Sequence, residues 1–183
     1  MKRIIVGISG ASGSILGIRL LQELGGKAET HLIITETARK ILEHETGFSV
    51  RQVENFASRN YDNSDLFSPV ASGSFKTEGM VVIPCSMKTL AGIASGFSYN
   101  LLLRCADVCL KERRRLVLVV RETPLSKVHI RNMKIASDAG AVILPPVLSF
   151  YSKPKTVEEM VNYVVGKVLD VLGFENELYK RWE

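Results

Sequence analysis

Three stretches gather residues with chemical capacity. In VGISGASGSILGIRL, Val6 to Leu20, a β-branched run gives way to Ser9, Gly10, Ala11, Ser12, Gly13 and Ser14, and then to helical spacing. Glycine there permits a sharp turn and a close approach of ligand to backbone. The helix start offers unpaired N–H groups and a partial positive charge, with three hydroxyls beside it. The stretch suits a phosphate or the edge of a flat ring. Its spacing, Gly7, Gly10, Gly13, lacks the tight first pair of the dinucleotide fingerprint. A plain strand–helix turn with a serine cap is therefore the alternative. Glu36, near the end of the second apolar run, keeps a nicotinamide reading open. Two further small-residue turns, Ser72-Gly73-Ser74 and Pro84-Cys85-Ser86, flank the third apolar run. Three such loops on one sheet edge would make one extended ligand site.

The second stretch is NLLLRCADVCLK. Arg104, Asp107 and Lys111 fall at i, i+3 and i+7, one stripe of a helix. Almost every other face is apolar, and a helix apolar all round is buried. In a chain of 183 residues that points to burial against another subunit as well as its own core. The stripe is either an Arg–Asp pair or a cationic wall for an anion, because unpaired cations are expensive to bury. The third stretch is LVLVVRETPLS, where Arg121 and Glu122 directly follow a strand pattern and Pro124 ends it. Further on, Tyr151 stands in a proline-bounded loop and Lys167 in the last helical segment. A phenol and an ammonium can both bind phosphate, although Lys167 by itself reads as a solvated helix residue. His31, His44 and His129 have no nucleophile or carboxylate at a recognisable spacing, and none is assigned a catalytic role.

These residues need elements to position them. Short, nearly continuous apolar runs at Arg3–Ile8, Thr30–Thr35, Met80–Pro84, Leu116–Val120 and Ala141–Leu144 read as strands covered on both faces. Between them, helical spacing predicts helices over Ser14–Leu24, Thr37–Glu45, Met87–Ala94, Tyr99–Glu112, Ser126–Gly140 and Val157–Leu172. Alternation of the two means βαβ units, a parallel sheet and right-handed crossovers. The expected fold is α/β, a Rossmann-like or flavodoxin-like three-layer sandwich, in a single domain over 1–183. Residues 55–78 are polar and weakly periodic, and read as a long loop that is either functional or a plain surface excursion.

Composition narrows the function. The formal charge of +5, from 24 basic and 19 acidic residues, is a mild excess. The dense basic cluster, Lys111 to Arg115, has no interleaved aromatics, which argues against a nucleic-acid surface. Three cysteines, Cys85, Cys105 and Cys109, make no disulfide framework and suit a reducing compartment. With no histidine pair nearby they make no zinc site, and read as buried small hydrophobes. No signal peptide and no apolar run of about 18 residues is visible, so no membrane span is expected and the location is read as cytoplasmic.

The ordered motifs GISGASG, ASGSFKTEGM, IPCSMKTLAGI, RCADVCLKERR, LVLVVRETPLS, GAVILPPV, FYSKP and the terminal RW cover nearly the whole chain. Together they resemble the UbiX-type flavin prenyltransferases, flavoproteins once described as aromatic-acid decarboxylases. The resemblance implies a homo-oligomer, a dodecamer, with FMN at subunit junctions and no metal. It implies transfer of a dimethylallyl group from dimethylallyl phosphate to N5 and C6 of reduced FMN, the product serving a UbiD-type decarboxylase. It assigns FMN contacts to Gly10, Ala11, Ser12, Thr35, Ser86, Met87, Lys88, Thr89 and Arg121, with Ser12 near N5. It assigns the prenyl phosphate to Arg104, Lys111, Tyr151 and Lys167, some from neighbouring subunits. Ser12, Glu45, Glu122 and Lys111 become the catalytic residues, the two glutamates as acid–base and proton-relay groups. Many relatives carry Arg in place of Lys167, and Lys keeps the charge but loses the bidentate fork. A flavin-dependent decarboxylase of cysteine-type substrates would bring a catalytic His and a Pro-x-Met-Asn-x-x-Met-Trp stretch, neither of which is visible. A non-catalytic FMN carrier is the alternative from another class.

Overall fold

Apolar runs with no polar interruption pair side by side into one parallel sheet. The computed structural model describes residues 1–182. Its strands are β1 (Lys2–Ile8), β2 (Ala28–Ile34), β3 (Arg59–Tyr61), β4 (Gly79–Cys85), β5 (Arg115–Val120) and β6 (Val142–Ile143), in the order β3-β2-β1-β4-β5-β6. The helices are α1 (Ser14–Leu24), α2 (Glu36–Thr46), α3 (Val50–Glu54), α4 (Met87–Ser95), α5 (Leu101–Lys111), α6 (Lys127–Asp138) and α7 (Val157–Leu172). Successive strand residues point to opposite faces, so each strand feeds two cores. Ile4, Val6 and Ile8 pack with α1, α2 and α7, while Ile5 packs with residues of α4, α5 and α6 on the other face. This is the expected three-layer α/β sandwich.

The chain winds outward from β1 to β2 and β3, then crosses back to β4 and winds the other way. At that reversal the loops after β1 and β4 diverge and leave a crevice beyond the carboxyl ends of the strands, where ligands of such sheets sit. The reversal fixes where chemistry can happen.

Three expectations change. The segment 55–78 is not all loop: it carries β3 and a single 3-10 turn at Pro69–Ala71, and α3 precedes it. β3 is an edge strand of polar residues, Arg59-Asn60-Tyr61, so no apolar run announced it. The apolar helix α5 needs no second subunit for its burial. Leu101, Leu102, Leu103, Cys105, Ala106, Val108 and Cys109 are all buried within this chain. The loop Ser72-Gly73-Ser74 is not on the ligand edge. Gly73 lies against Lys111 and Glu112, and its carbonyl accepts from Arg114, all at the amino edge of the sheet.

Candidate functional site

The turn after β1 is built for close approach. A Cβ on Gly10 would stand 2.9 Å from the Thr37 side chain, so glycine is what lets this turn lie against the start of α2. Gly13 sits at φ 103°, a conformation L side chains rarely adopt, and begins α1. Ser9 is wholly buried and structural: its hydroxyl donates to the Pro84 carbonyl at 3.0 Å and accepts from the Ser86 N–H at 2.8 Å. It ties the turn after β1 to the turn after β4, fixing the two walls of the crevice.

Ser86 then caps α4. Its hydroxyl accepts from the Thr89 N–H at 3.3 Å and donates to the Thr89 hydroxyl at 3.1 Å. Thr35 caps α2 in the same way, accepting from the Ala38 N–H at 3.3 Å. Both helix starts open into one cavity of about 690 Å³ at the switch point. That volume suits a cofactor-sized molecule. Of the residues expected to hold FMN, Gly10, Thr35, Ser86, Met87, Lys88 and Thr89 line it, and so does Glu122. Glu36 lines it too, at the place where the nicotinamide reading put it.

The N-terminus of α1 is already taken, which corrects the expectation of an anion from outside at that point. The Glu45 carboxylate accepts from the Gly13 N–H at 2.9 Å and the Ser14 N–H at 3.3 Å. Every other α-helix among the described residues carries its own Ser, Thr or Asn cap; α1, starting at glycine, borrows a glutamate from α2. Partial burial works to raise the Glu45 carboxyl. The Ser12 hydroxyl, the two amides and the Arg121 charge outweigh it and hold its pKa below the ordinary glutamate value. Ser12 and the charge of Arg121 thus help to keep Glu45 ionised at the turn after β1. An anionic ligand has its better seat at α4, whose first turn faces open space.

Sequence reasoning missed part of the wall. Asn63 and Ser64, from the long segment before β4, line the cavity with Tyr99, Asn100 and Leu103. Asn63 holds α5 in place: its carbonyl accepts from Leu101 N–H at 2.8 Å and its side chain from Leu102 N–H at 3.1 Å. Asn100, just ahead of a long apolar helix, is an N-cap pattern that could have been read. Asn63 carries no such signal.

Four residues expected at the prenyl phosphate lie elsewhere in this chain. Arg104 pairs with Asp107 at 2.7 Å and donates to the Ala71 carbonyl at 3.1 Å, so the Arg–Asp alternative is the one the chain adopts. Lys111 pairs with Glu112 rather than Asp107. It ends an 11-residue helix whose start borders the cavity, a separation of roughly 15 Å at the usual rise. Tyr151 and Lys167 stand with α7 and the C-terminal residues, clear of the cavity lining. Two of the histidines have structural contacts: His129 forms a capping box with Ser126, and buried His31 pairs with Tyr61 at 2.9 Å; His44 is exposed in the last turn of α2. All three cysteines are buried, and burial pushes the Cys105 and Cys109 thiols up to about 12. Among the described residues, no three His, Cys, Asp or Glu side chains group closely enough to hold a metal, and no helix is long and apolar enough to cross a membrane.

Comparison with known proteins follows the same lines. A family model described as Flavoprotein matches residues 1–169. The chain is 49% identical over 180 residues to a protein of Methanocaldococcus jannaschii named flavin prenyltransferase UbiX, covering 98% of each. Among solved structures it superposes with TM-score 0.98 on AnUbiX (PadA1) in complex with FMN and dimethylallyl pyrophosphate, at 46% identity, over 100% of this chain and 97% of that one. A dodecameric FMN-dependent UbiX-like decarboxylase from Escherichia coli O157:H7 superposes with TM-score 0.97 at 46% identity, over 99% of each chain.

Proposed function

The chain belongs to the flavoprotein family and, within it, to the UbiX-type flavin prenyltransferases; from that footing we propose that it joins the dimethylallyl group of dimethylallyl phosphate to reduced FMN. The observation that carries the reading is the cavity at the β1/β4 switch point. Its walls include six of the nine residues expected at FMN, Gly10, Thr35, Ser86, Met87, Lys88 and Thr89, beside Glu122, which supports the reading. The residues suit the cofactor: a glycine floor at Gly10, hydroxyls at Thr35, Ser86 and Thr89, and an open helix start at α4 for a phosphate monoester. Gly10, Ala11, Ser12, Thr35, Ser86, Met87, Lys88, Thr89 and Arg121 would hold it. Reduced FMN, when bound, supplies the electron-rich N5 and C6 positions that accept the dimethylallyl group.

The protein's own groups then have defined tasks. Glu122 accepts the proton that leaves C6. The ionised Glu45 accepts a hydrogen bond from the Ser12 hydroxyl and keeps it oriented. Arg104, Lys111, Tyr151 and Lys167 meet the phosphate as the allylic carbon–oxygen bond breaks and charge develops on the leaving group. Because these four lie away from the cavity in their own chain, neighbouring chains supply those that are needed. The assembly is then a homo-oligomer, a dodecamer like that of the E. coli O157:H7 protein. The prenylated flavin passes to a UbiD-type decarboxylase.

Anaerobic incubation with reduced FMN and dimethylallyl phosphate tests the reading. Phosphate released in step with consumption of free reduced flavin supports it. Phosphate released with the flavin unchanged contradicts it, and tight flavin retention without phosphate release indicates a carrier instead.

A further inference from the structure

The last residues fold back onto α7 around one carboxylate. Asp170 Oδ1 accepts from Asn176 at 2.9 Å and from Arg181 Nη2 at 2.8 Å; Oδ2 accepts from the Tyr179 hydroxyl at 2.5 Å and from Arg181 Nη1 at 3.1 Å. Both oxygens are thus fully engaged by residues 176–181. The Lys167 ammonium, one turn earlier on α7, stays 4.0 Å from Oδ2 and is nearly half exposed. A lysine so placed is held near a carboxylate without being spent on it. Two cations around one anion leave one positive charge over.

The same returning segment shapes the neighbourhood of Tyr151. Gly166 lacks the Cβ that would stand 2.5 Å from the Tyr179 ring, so that ring lies close against α7. Lys167 and Arg181 both sit over it, at 5.9 and 5.2 Å. Edge-to-face contacts then run from Tyr179 through Tyr163 to Tyr151, and Trp182 closes the series on Tyr151 at 5.4 Å. Burial raises the Asp170 carboxyl, but Arg181, Tyr179 and Asn176 hold it below the ordinary aspartate range, so it remains the anion of the group. Burial and the adjoining Asp170 charge push the Tyr179 phenol up to about 12, so it remains a proton donor.

We propose that Asp170 is a positioning residue for the prenyl-phosphate site: by clasping Tyr179 and Arg181 it sets Tyr151 through Trp182 and keeps the Lys167 ammonium free for a phosphate monoester. This rests on the reading above that Tyr151 and Lys167 meet the donor phosphate. Removing the Asp170 charge releases Arg181 and the residues beside it, and the two phosphate ligands lose their fixed spacing. FMN binding, at the other site, is untouched.

Asp170→Asn and Lys167→Gln are compared as full-length proteins loaded with FMN. Asp170→Asn is expected to raise KM for dimethylallyl phosphate about tenfold, the effect of one lost charged contact, and to lower kcat as well, because the same contacts meet the charge on the leaving phosphate. FMN affinity stays the same. The anisotropy of the emission of Trp182, the sole tryptophan of the sequence, falls as it leaves Tyr151. Tyr179→Phe, which leaves the carboxylate in place, gives a smaller change in the same direction. If Lys167→Gln raises KM but Asp170→Asn changes neither KM nor Trp182 anisotropy, the positioning role is wrong while the assignment of the phosphate ligands stands. If Lys167→Gln leaves KM unchanged, that assignment fails, and the role of Asp170 falls with it. If Asp170→Asn lowers kcat and FMN affinity together, the cluster is part of the general architecture and the proposal is overturned.

Discussion

Glu45 on α2 accepts hydrogen bonds from the amide of Gly13, at the cap of α1, at 2.9 Å and from the first amide of α1, Ser14, at 3.3 Å, and thereby caps a helix to which it does not belong. The same carboxylate is tied to Ser12 and feels the charge of Arg121, so one residue serves both the fold and the cavity rim. Glu45→Gln keeps the shape and removes the charge. It should cost about 1 kcal/mol, the usual worth of a helix cap or a charge at a helix start, read as a lower urea midpoint at pH 7. Because the folded pKa lies below the ordinary one, the advantage of the wild type is complete above the ordinary glutamate value. It disappears as pH falls through the folded value. Turnover should fall more than stability, since Ser12 loses its acceptor.

His31 sets a second pH dependence. It is buried on β2, with Tyr61 on Nδ1 at 2.9 Å, Glu29 facing Nε2 at 3.5 Å, and Phe75 edge-on. Burial lowers its pKa; Glu29 opposes this, and Arg3 and Arg59 add to it. The unfolded chain therefore takes up a proton first as pH falls below about 6.5, and stability declines from there toward the folded pKa at up to about 1.4 kcal/mol per pH unit. Urea unfolding at pH 7.5 and 5.5 should show that slope, and His31→Gln should flatten it. An equal slope in both proteins would rule out His31 as its source.

Much of this was legible beforehand, and the gaps have physical reasons. The inner residues of β1, β2, β4 and β5 are buried on both faces, so most of them had to be apolar and read as strands. The hydroxyl caps Thr35 and Ser86 were visible as small polar residues at strand-to-helix junctions. β3 pairs on one side only and is half solvated, so Arg59-Asn60-Tyr61 carries no apolar signature. The role of Glu45 depends on packing α2 against the turn of α1, a contact 32 residues apart that no local pattern encodes. Arg104 and Lys111 share a helix stripe in sequence, yet only Arg104 meets Asp107, because Lys111 finds Glu112 at the end of the helix.

Gly10 is expected to tolerate no side chain. An added Cβ at 2.9 Å from Thr37 must push the turn after β1 away from the start of α2. Gly10→Ala should weaken FMN binding at least about tenfold while shifting the unfolding midpoint little, since the turn is at the rim and the core is intact. Flavin titration followed by fluorescence quenching measures this. Unchanged affinity would move the flavin away from Gly10.

Lys111 and Glu122 should complement each other between chains. Lys111 lies at the amino edge of its own sheet and Glu122 at the cavity, so a shared site needs the lysine of one chain at the cavity of another. Lys111→Ala should raise the requirement for dimethylallyl phosphate with little loss of FMN. Glu122→Gln should keep FMN and lower turnover by about 10²–10⁴, the usual worth of a general base. Reassembling a mixture of the two variants should recover part of the wild-type rate, because some junctions then pair an intact lysine with an intact glutamate. A mixture no more active than the sum of its parts would show that each site is completed within one chain.

The most direct measurement is the mass of the flavin itself. Protein is incubated without oxygen with reduced FMN and dimethylallyl phosphate, and the flavin is extracted and weighed by mass spectrometry. Gain of one five-carbon unit by the flavin of the wild-type protein is the expected result. Flavin recovered unaltered by the wild-type protein, with the donor intact, would contradict the account.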